Sequence, residues 1–461
     1  MSQTGKTHVF YGTVIHATNQ TTLEILTSAL LAVSEDGSIL KLESDVEQRT
    51  IPDRLSGIGL SDVSVTALHD GQFLIPGFVD THNHAPQWLQ RGLGQGMHIL
   101  DWLEGITFPN EAKFANAEYA RKAHEKLVSG MLRQGVTTAS YYSSLHGDAT
   151  RGLASMCYER GQRALVGKCN MNRNSPDYYR DASVEESLAE TEKCIAYMRK
   201  LDPHGRLVRP VLTPRFAISC EPALLSGLGA MAARDPSLAI QTHFNEAQQE
   251  IDATLSLFPE FRCEADLYEH YGLLTARSIL AHCTIMTPLE TRRLRELGCG
   301  VAHCPTANMT VGGGFMAAPV REFLRCGIKV GLGTDSGGGF SSSMLDAMRH
   351  ALIASFARDA LCKKENNEHD GGNGDGLSID EVFYMATLGG ARVVGREEEI
   401  GSFGVGKKFD AVVVDMREER NGVNTPLEEG DSVRIMFDKF VMTGDDRNIV
   451  EVYVDGRRVC P

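Results

Sequence analysis

The sequence lacks the marks of a disulfide-stabilised, membrane-spanning or nucleic-acid-binding protein. Its 461 residues hold 11 cysteines but no Cys-x-x-Cys pair, which is typical of reduced thiols rather than of a disulfide framework. No run of about 18 apolar residues is present to span a membrane. Lysine and arginine number 46 against 60 aspartates and glutamates, so the net charge is -14. A protein of this charge repels phosphate, which excludes nucleic acid and anionic membranes as its main partners.

The two ends of the sequence carry no targeting motif that we recognise. The start, MSQTGKTHVF, is polar and has no apolar signal-peptide core. The final residues, RRVCP, match no C-terminal address. We therefore expect a cytoplasmic protein whose partners are small molecules and water.

Both ends of the chain have the pattern of short β-strands. Residues 1–76 contain HVFYGTVIHA and ALLAVSEDGSILKLE, and residues 396–461 contain DAVVVDM, SVRIMFDKFVMTG and NIVEVYVDGRRV. Such alternating or β-branched runs, broken by turn residues, are typical of antiparallel strands. Neither end has enough strands for its own core. We therefore expect the two ends to pair into one small, discontinuous β-sandwich domain beside a catalytic domain of residues 77–395.

The middle of the chain alternates apolar runs with amphipathic stretches. Eight runs predict strands: GFVDTHNH, VTTASYYS, ALVGKCN, LVRPVLTPR, LAIQTHFNE, SILAHCT, CGVAHCP and IKVGLGTDS. Helix-like segments such as AEYARKAHEKLVSGMLRQG lie between them. Eight βα units whose strands are apolar on both faces favour an α/β fold with a parallel sheet closed as a (β/α)8 TIM barrel. A doubly wound open sheet is the alternative.

One βα unit shows a complete set of helix signals. After SILAHC, the segment TPLETRRLRELG offers Thr287 as N-cap, Pro288 at the first helical position and Glu290 for a capping box. Gly298 marks the end of this helix, and CGVAHC resumes a strand.

Polar residues that could bind a metal fall at the ends of four predicted strands. Strand 1 ends in His82 and His84, strand 5 in His243, strand 6 in His282 and strand 8 in Asp335. Each has an ordinary structural explanation, such as strand packing for the histidines or a turn for the aspartate. Active sites of TIM barrels lie at the carboxyl ends of the strands, however, and residues two apart on a strand share a face. We therefore expect a metal site here.

Imidazole and carboxylate ligands without thiolate suit Zn²⁺ or Fe²⁺. His82, His84, His243 and Asp335 could hold one ion and leave a position for water, whose pKa the ion would lower. No lysine ends strand 4, so a carbamylated lysine bridging two metals is not expected. Zinc, one ion per chain, is our prediction.

Other polar and aromatic residues lie close to these positions in the sequence. Glu246 follows His243 by three residues and could carry protons, or it could simply begin the next helix. Arg215 and Phe216 end strand 4, where an arginine can donate to a ring atom and a phenylalanine can pack on a flat ring. Gln87 adds an amide that donates and accepts. A surface arginine and a core phenylalanine are the structural alternatives.

The order of these motifs resembles a known family. PGFVDTHNH, HFNE, LAHC and GLGTDS resemble the amidohydrolase superfamily. HAPQW, ILDWLEGITFPNE, PRFAISC, HCPTAN and GTDSGGGFSSSMLDAMRHA are similar to its guanine deaminase branch, and the resemblance covers nearly the whole chain. It implies a hydrolase of purine catabolism, a homodimer, in which zinc-bound hydroxide attacks C2 of guanine and xanthine and ammonia are released.

The resemblance also implies a role for each site residue. The zinc ligands would be His82, His84, His243 and Asp335, as inferred above. Glu246 would protonate the purine at N3, and Asp335 would accept a proton from the attacking water. His282 would help to orient that water or stabilise the intermediate. The remaining three residues would bind the substrate, with Gln87 and Arg215 at the ring edge and Phe216 on the ring face.

Two other functions stay open on sequence. A related amidohydrolase acting on another aminated heterocycle would have the same metal site and different ring-binding residues. A non-catalytic scaffold protein would not need its ligands, yet all ligand positions are present. The segment 362–376, CKKENNEHDGGNGDG, predicts a solvated loop. Asp80 shares the strand face of the histidines, so a supporting role behind the ligands is also open.

Overall fold

The computed structural model describes residues 6–61, 63–311, 316–365, 376–417, 425 and 427–460. The strands there are β1 (His8–Asn19), β2 (Thr22–Val33), β3 (Ile39–Glu43), β4 (Val65–Ala67), β5 (Gln72–Pro76), β6 (Phe78–His84), β7 (Val136–Tyr142), β8 (Arg163–Gly167), β9 (Cys169–Asn170), β10 (Val208–Pro214), β11 (Ala239–Phe244), β12 (Ser278–His282), β13 (Gly300–His303), β14 (Lys329–Leu332), β15 (Ala411–Asp415), β16 (Ile449–Val454) and β17 (Arg457–Cys460).

The α-helices of the same residues connect these strands. They are α1 (Ile51–Ser56), α2 (Ile99–Trp102), α3 (Phe108–Ala112), α4 (Ala117–Arg133), α5 (Gly147–Arg160), α6 (Val184–Leu201), α7 (Pro222–Arg234), α8 (Gln248–Leu257), α9 (Glu264–His270), α10 (Pro288–Leu297), α11 (Pro305–Thr310), α12 (Val320–Arg325), α13 (Met344–Glu365), α14 (Ile379–Ala386), α15 (Leu388–Val393) and α16 (Val433–Thr443). Residues 366–375 of the predicted loop 362–376 lie outside the described part, and residues 362–365 continue the helix α13 instead of forming a loop. No helix in the described part is long and apolar enough to cross a bilayer.

Eight parallel strands form a nearly closed barrel. They pair in the order β14-β13-β12-β11-β10-β8-β7-β6, and β9 pairs beside them with β10. The first and last barrel strands meet where the Thr81 hydroxyl donates to the Leu332 carbonyl over 2.9 Å. The backbone N–H of Asp335 donates to the His82 carbonyl, also over 2.9 Å. The predicted (β/α)8 barrel and its eight strands are confirmed.

Local signals in the sequence explain why these elements form. All seven residues of β7 are buried, as expected for a parallel strand covered on both faces. The helix α10 begins with the predicted capping box of Thr287 and Glu290, with Pro288 in its first turn. It ends at Gly298, whose φ of 70° favours glycine.

A second sheet combines strands from both ends of the chain. Its order is β17-β16-β15-β5-β1-β2-β3, with β4 paired to β1. The central pairing of β15 with β5 is antiparallel and joins the C-terminal segment to the N-terminal one. The two ends therefore build one discontinuous β unit, as the sequence indicated.

The prediction of a strand at SVRIMFDKFVMTG is wrong, because this segment forms the helix α16. Its buried residues Phe437, Phe440 and Val441 are spaced three to four apart, which is the helical period. Ser432 caps the helix by accepting from the N–H of Ile435. The high β-propensity of the apolar residues concealed that period.

A buried ion pair joins the two sheets. Arg163 at the start of β8 donates to both carboxylate oxygens of Asp410, over 2.6 and 3.0 Å, and to Asp455 over 3.2 Å. Removing one partner of such a buried pair would leave an uncompensated charge, which costs roughly 3–5 kcal/mol.

Candidate active site

Three of the predicted ligands meet where the first and last barrel strands end. His82 and His84 lie at the end of β6, and Asp335 follows β14. The Nε2 atoms of His82 and His84 lie 3.2 and 3.4 Å from Asp335 Oδ1. Strand alternation puts both imidazoles on the same face, as expected from their spacing.

The fourth predicted ligand, His243 at the end of β11, faces the same point. Its Nε2 atom lies 3.0 Å from Nε2 of His84. Its Nδ1 atom lies 2.6 Å from the backbone carbonyl oxygen of Arg215. A carbonyl only accepts, so Nδ1 carries the proton and Nε2 is left with its lone pair. This arrangement fixes the tautomer that a metal-binding histidine needs.

The electrostatics keep these histidines neutral. Burial lowers the pKa of His82, His84 and His243 well below the ordinary value, and neighbouring imidazoles lower it further. His82 Nε2 and His282 Nε2 are fully buried and make no hydrogen bond to the described residues. Buried, neutral imidazoles with unused lone pairs fit a metal ion, which would take those lone pairs.

The spacing of the ligand atoms also fits one ion. The nitrogen and oxygen atoms of His82, His84 and Asp335 lie within 4.8 Å of one another, and so do those of His82, His243 and His282. Separations of 3.0 to 3.4 Å between neighbours are those of ligands on one ion with bonds of about 2.0–2.2 Å. The site could therefore hold a metal.

Glu246 and His282 lie side by side next to this cluster. The Glu246 carboxyl is 3.6 Å from His282 Nε2. Burial, and then the charge of Asp335, raises the pKa of Glu246 well above its ordinary value. The Nδ1 atom of His282 lies 2.8 Å from Oδ1 of Asn308 on α11. Glu246 is therefore placed to hold a proton, and Asn308 orients the His282 ring.

Four of the eight non-glycine residues with positive φ in the described part lie at these strand ends. They are Asn245, His282, Cys283 and Asp335, with φ values of 46°, 74°, 48° and 46°. They lie at the end of β12 or in the turns after β11, β12 and β14. Such strain persists only where the surrounding structure enforces it, and it is common at functional sites.

A small cavity opens above the cluster. Its lining joins polar residues of the site to an apolar cover, and comprises His84, Ile99, Trp102, Leu103, Arg215, Phe216, His243, Glu246 and Asp335. Its volume of about 20 Å³ has room for one or two water molecules. A flat ring can enter only if side chains of the cover, which belong to α2 and the π-helical turn Leu103–Thr107, move aside.

Arg215 is held by a carboxylate that sequence analysis did not single out. Its guanidinium donates to Glu111 on α3 over 2.7 and 3.2 Å. The side-chain N–H of Gln87 donates to the same carboxylate over 2.7 Å, and so does the hydroxyl of Tyr179. The predicted residues Gln87 and Arg215 thus share one buried partner.

Asp80 does not reach the cluster with its side chain. Its carboxylate accepts from the hydroxyl and N–H of Thr334, over 2.6 and 2.9 Å, and from the amide of Asn83 over 3.0 Å. Burial raises the pKa of Asp80 to about 6. Asp80 therefore supports the site by fixing the end of β6 to the residue before Asp335.

Comparison with known proteins then places this geometry in a family. The sequence profile described as "Amidohydrolase family" matches residues 73–459, most of the chain. The chain belongs to the amidohydrolase family. Guanine deaminase of Homo sapiens is 36% identical over 98% of this chain and 97% of its own length. A probable guanine deaminase of Schizosaccharomyces pombe is 42% identical over 98% of this chain and 83% of its length.

A solved structure of this family has the same fold. The crystal structure of guanine deaminase from C. acetobutylicum with bound guanine superposes with a TM-score of 0.86 at 31% identity. The match covers 98% of this chain and 99% of that one. The resemblance that the motifs indicated is confirmed.

The structure brings all predicted site residues of this family member to one end of the barrel. His82, Gln87 and His282 are not among the residues that line the cavity. The residues that the sequence did not reveal are Glu111, Asn308 and the cover residues Trp102 and Leu103. The stretches ILDWLEGITFPNE and HCPTAN contain all four, yet nothing in either stretch indicates which side chains turn inward.

Proposed function

We propose that this protein is a zinc-dependent guanine deaminase, which hydrolyses guanine to xanthine and ammonia. One observation carries the proposal: the cavity joins the His84, His243 and Asp335 side chains to Glu246, Arg215 and Phe216 in one enclosed space. A metal site, a proton carrier and a ring-binding pair are the parts that hydrolytic deamination of a heterocycle needs. The guanine deaminases among its relatives support guanine as the ring.

His82, His84, His243 and Asp335 would hold the zinc ion. Three neutral imidazoles and one carboxylate match the ligand types that zinc accepts, and they leave a position for water. A bound zinc ion supplies a water molecule that loses its proton near neutral pH.

Three side chains would then manage the protons of the reaction. Glu246, whose pKa burial and the charge of Asp335 raise well above its ordinary value, would donate a proton to N3 of the purine. Asp335 accepts the proton that the attacking water loses. His282, held by Asn308, orients this water through its Nε2 atom. As the water oxygen bonds to C2, the proton held by Asp335 would pass to the amino group, whose bond to C2 would break to release ammonia. The proton of the new C2 hydroxyl group would return to Glu246, which leaves the C2=O and N3–H of xanthine.

The ring is held from its edge and its face. The guanidinium group of Arg215, which carries several N–H donors, lines the cavity. Phe216 also lines it, and the centre of its ring lies 6.0 Å from that of His243. A purine between Phe216 and the histidines would stack and donate or accept at its edge. Gln87, which shares the Glu111 carboxylate with Arg215, would reach the same edge once the cover of the cavity has moved.

An assay of purified protein with guanine, with ammonia, xanthine and bound metal measured on the same sample, tests the proposal. Turnover that depends on about one zinc per chain is the expected result. Metal-replete protein without turnover of guanine would overturn it. If another aminated ring is converted with a kcat/KM orders of magnitude higher, the protein is an amidohydrolase for that ring.

The wider context is also part of the proposal. We infer a homodimer, since α13 exposes apolar side chains on its outer face, with Ile353 60% and Phe356 55% accessible. Apolar patches of this kind are typical of subunit interfaces.

All 11 cysteines fall in the described part of the chain and are free thiols, which supports a reducing compartment such as the cytoplasm.

A further inference from the structure

The carboxylate of Glu111 is buried, and four hydrogen bonds saturate it. Oε1 accepts from Gln87 Nε2 over 2.7 Å and from Arg215 Nη2 over 3.2 Å. Oε2 accepts from Arg215 Nη1 and from the hydroxyl of Tyr179, each over 2.7 Å. A carboxylate has about four lone-pair positions, so none is left for substrate or water. Glu111 therefore acts on the reaction through the residues that it holds.

Glu111 determines which end of the Gln87 amide is free. A carboxylate paired with a guanidinium only accepts, so the NH₂ end of the amide must face it. The other end, Oε1 of Gln87, is fully buried and has no hydrogen-bond partner among the described residues. A buried acceptor without a donor is costly, and a ligand with an N–H group would satisfy it.

The free groups of Gln87 and Arg215 lie next to each other. Both side chains donate to the same oxygen atom of Glu111. Arg215 uses two of its five N–H groups there and keeps three. The pair therefore offers one acceptor, from Gln87, beside donors from Arg215. Its complement is a ring edge on which an N–H group stands next to a carbonyl group.

We propose that Glu111 is a positioning residue that makes this site select a lactam edge, N1–H beside C6=O, over an amidine edge. The inference rests on the proposed function and adds its basis for specificity. Guanine presents N1–H to Gln87 and O6 to Arg215. A 6-aminopurine presents a bare N1 to the amide oxygen and an amino group to the guanidinium, so both contacts are repulsive.

The backbone of Gly337 helps to keep the amide in place. A Cβ atom at this position would lie 2.0 Å from Oε1 of Gln87, so only glycine leaves the amide oxygen its room. The φ of Gly337, 123°, is also one that other residues rarely adopt. Two elements distant in sequence thus fix the same amide group.

The test compares two substrates that carry the same leaving group at C2, guanine and 2,6-diaminopurine. The unaltered enzyme should prefer guanine strongly in kcat/KM. In Glu111→Gln, the Gln87 amide is free to turn, and we expect the preference for guanine to fall about tenfold or more. Glu104→Gln makes the same chemical change at an exposed carboxylate of the same segment and should leave the preference intact.

Two further variants separate positioning from folding. Gln87→Leu keeps Glu111 and should lower the preference as far as Glu111→Gln does, while the double variant should add little beyond either one. Tyr179→Phe removes one donor from Glu111 and leaves Gln87 unchanged. The preference of this variant for guanine should therefore change much less. If Glu111→Gln does not fold, Glu111→Asp, which keeps the charge and withdraws the carboxylate from Gln87, replaces it in the comparison with the same loss of preference expected.

The outcomes distinguish the inference from the function on which it rests. An unaltered enzyme that deaminates neither purine overturns both. An unaltered enzyme that prefers guanine, together with Glu111→Gln or Gln87→Leu variants that keep the full preference, overturns the role of Glu111 and leaves guanine deamination standing. An equal loss for both purines in Glu111→Gln also overturns it, because a purely structural role would act on both alike.

Discussion

The imidazole Nδ1 of His243 lies 2.6 Å from the backbone carbonyl oxygen of Arg215. This bond links the candidate metal ligands to Arg215, which we propose donates to the ring. The backbone of Arg215 fixes the tautomer of His243, while its side chain lines the cavity. Both parts of the proposed site therefore depend on the residue that directly follows β10.

A variant in which residue 246 cannot transfer a proton should lose activity but keep its bound metal. Glu246→Gln keeps the shape of the side chain and should lower kcat by roughly 10²-fold or more, while bound metal stays at the level of the unaltered protein. Steady-state kinetics and elemental analysis on one sample measure both. The matched control is Glu260→Gln, which makes the same change at an exposed carboxylate. Near-normal kcat in Glu246→Gln would mean that another group carries the proton.

Removal of one ligand should lower metal content. His84→Ala deletes an imidazole that is close to both His243 and Asp335, and we expect the variant to lose most bound zinc and activity together. His98→Ala removes an exposed histidine nearby and should change neither. Metal retained at full stoichiometry in His84→Ala would contradict the ligand set.

The cover of the cavity should move when a ring binds. About 20 Å³ of space cannot hold a purine, so Trp102 and Leu103 must shift. The chain has two tryptophans, so in a Trp88→Phe variant the tryptophan fluorescence comes from Trp102 alone. We expect xanthine to change its fluorescence in a saturable way. Calorimetric binding of xanthine without any change in this signal would show that the cover stays closed.

His124 should make stability depend on pH. Burial on α4 lowers its pKa to about 3, while an unfolded chain has a histidine pKa of about 6.5. Between these values the unfolded state binds the extra proton, so stability falls as pH drops below 6.5. At pH 5.5 the loss is about 1.4 kcal/mol.

Urea unfolding of His124→Leu at pH 7.5 and 5.5 measures this contribution. The variant should lose less stability than the unaltered protein on going to the lower pH, by about 1 kcal/mol. His204→Leu, at an exposed position, should follow the unaltered protein. Equal losses in His124→Leu and the unaltered protein would show that His124 is not buried as a neutral ring.

The barrel and the convergence of the candidate ligands at one end of it could be predicted from the sequence because both depend on local patterns. Strands buried on both faces are continuous apolar runs, and the chain shows eight of them. The position of the candidate ligands follows from the rule that barrel sites lie at carboxyl strand ends. His82, His84, His243 and Asp335 each come at such an end.

The parts that could not be predicted depend on contacts between distant segments. Glu111 is 104 residues from Arg215 in sequence, and nothing local distinguishes it from the exposed Glu104. Asn308 lies on a helix of six residues after β13, where a polar side chain is ordinary. The helix α16 was misjudged because its apolar residues favour strands as strongly as they fit the helical period.

The closure of the barrel also bears on how the chain folds. His82 and His84 stand on the first barrel strand and Asp335 follows the last, and the bond from Thr334 to Asp80 that fixes them spans 254 residues. Such long-range contacts form late, since their loop entropy must be overcome first. A metal ion held by residues of both strands would bind only the closed barrel, and its binding energy would add to the stability of that state alone. Metal binding would therefore stabilise the product of the last folding step, and a chain that stops before β14 could not gain this stability.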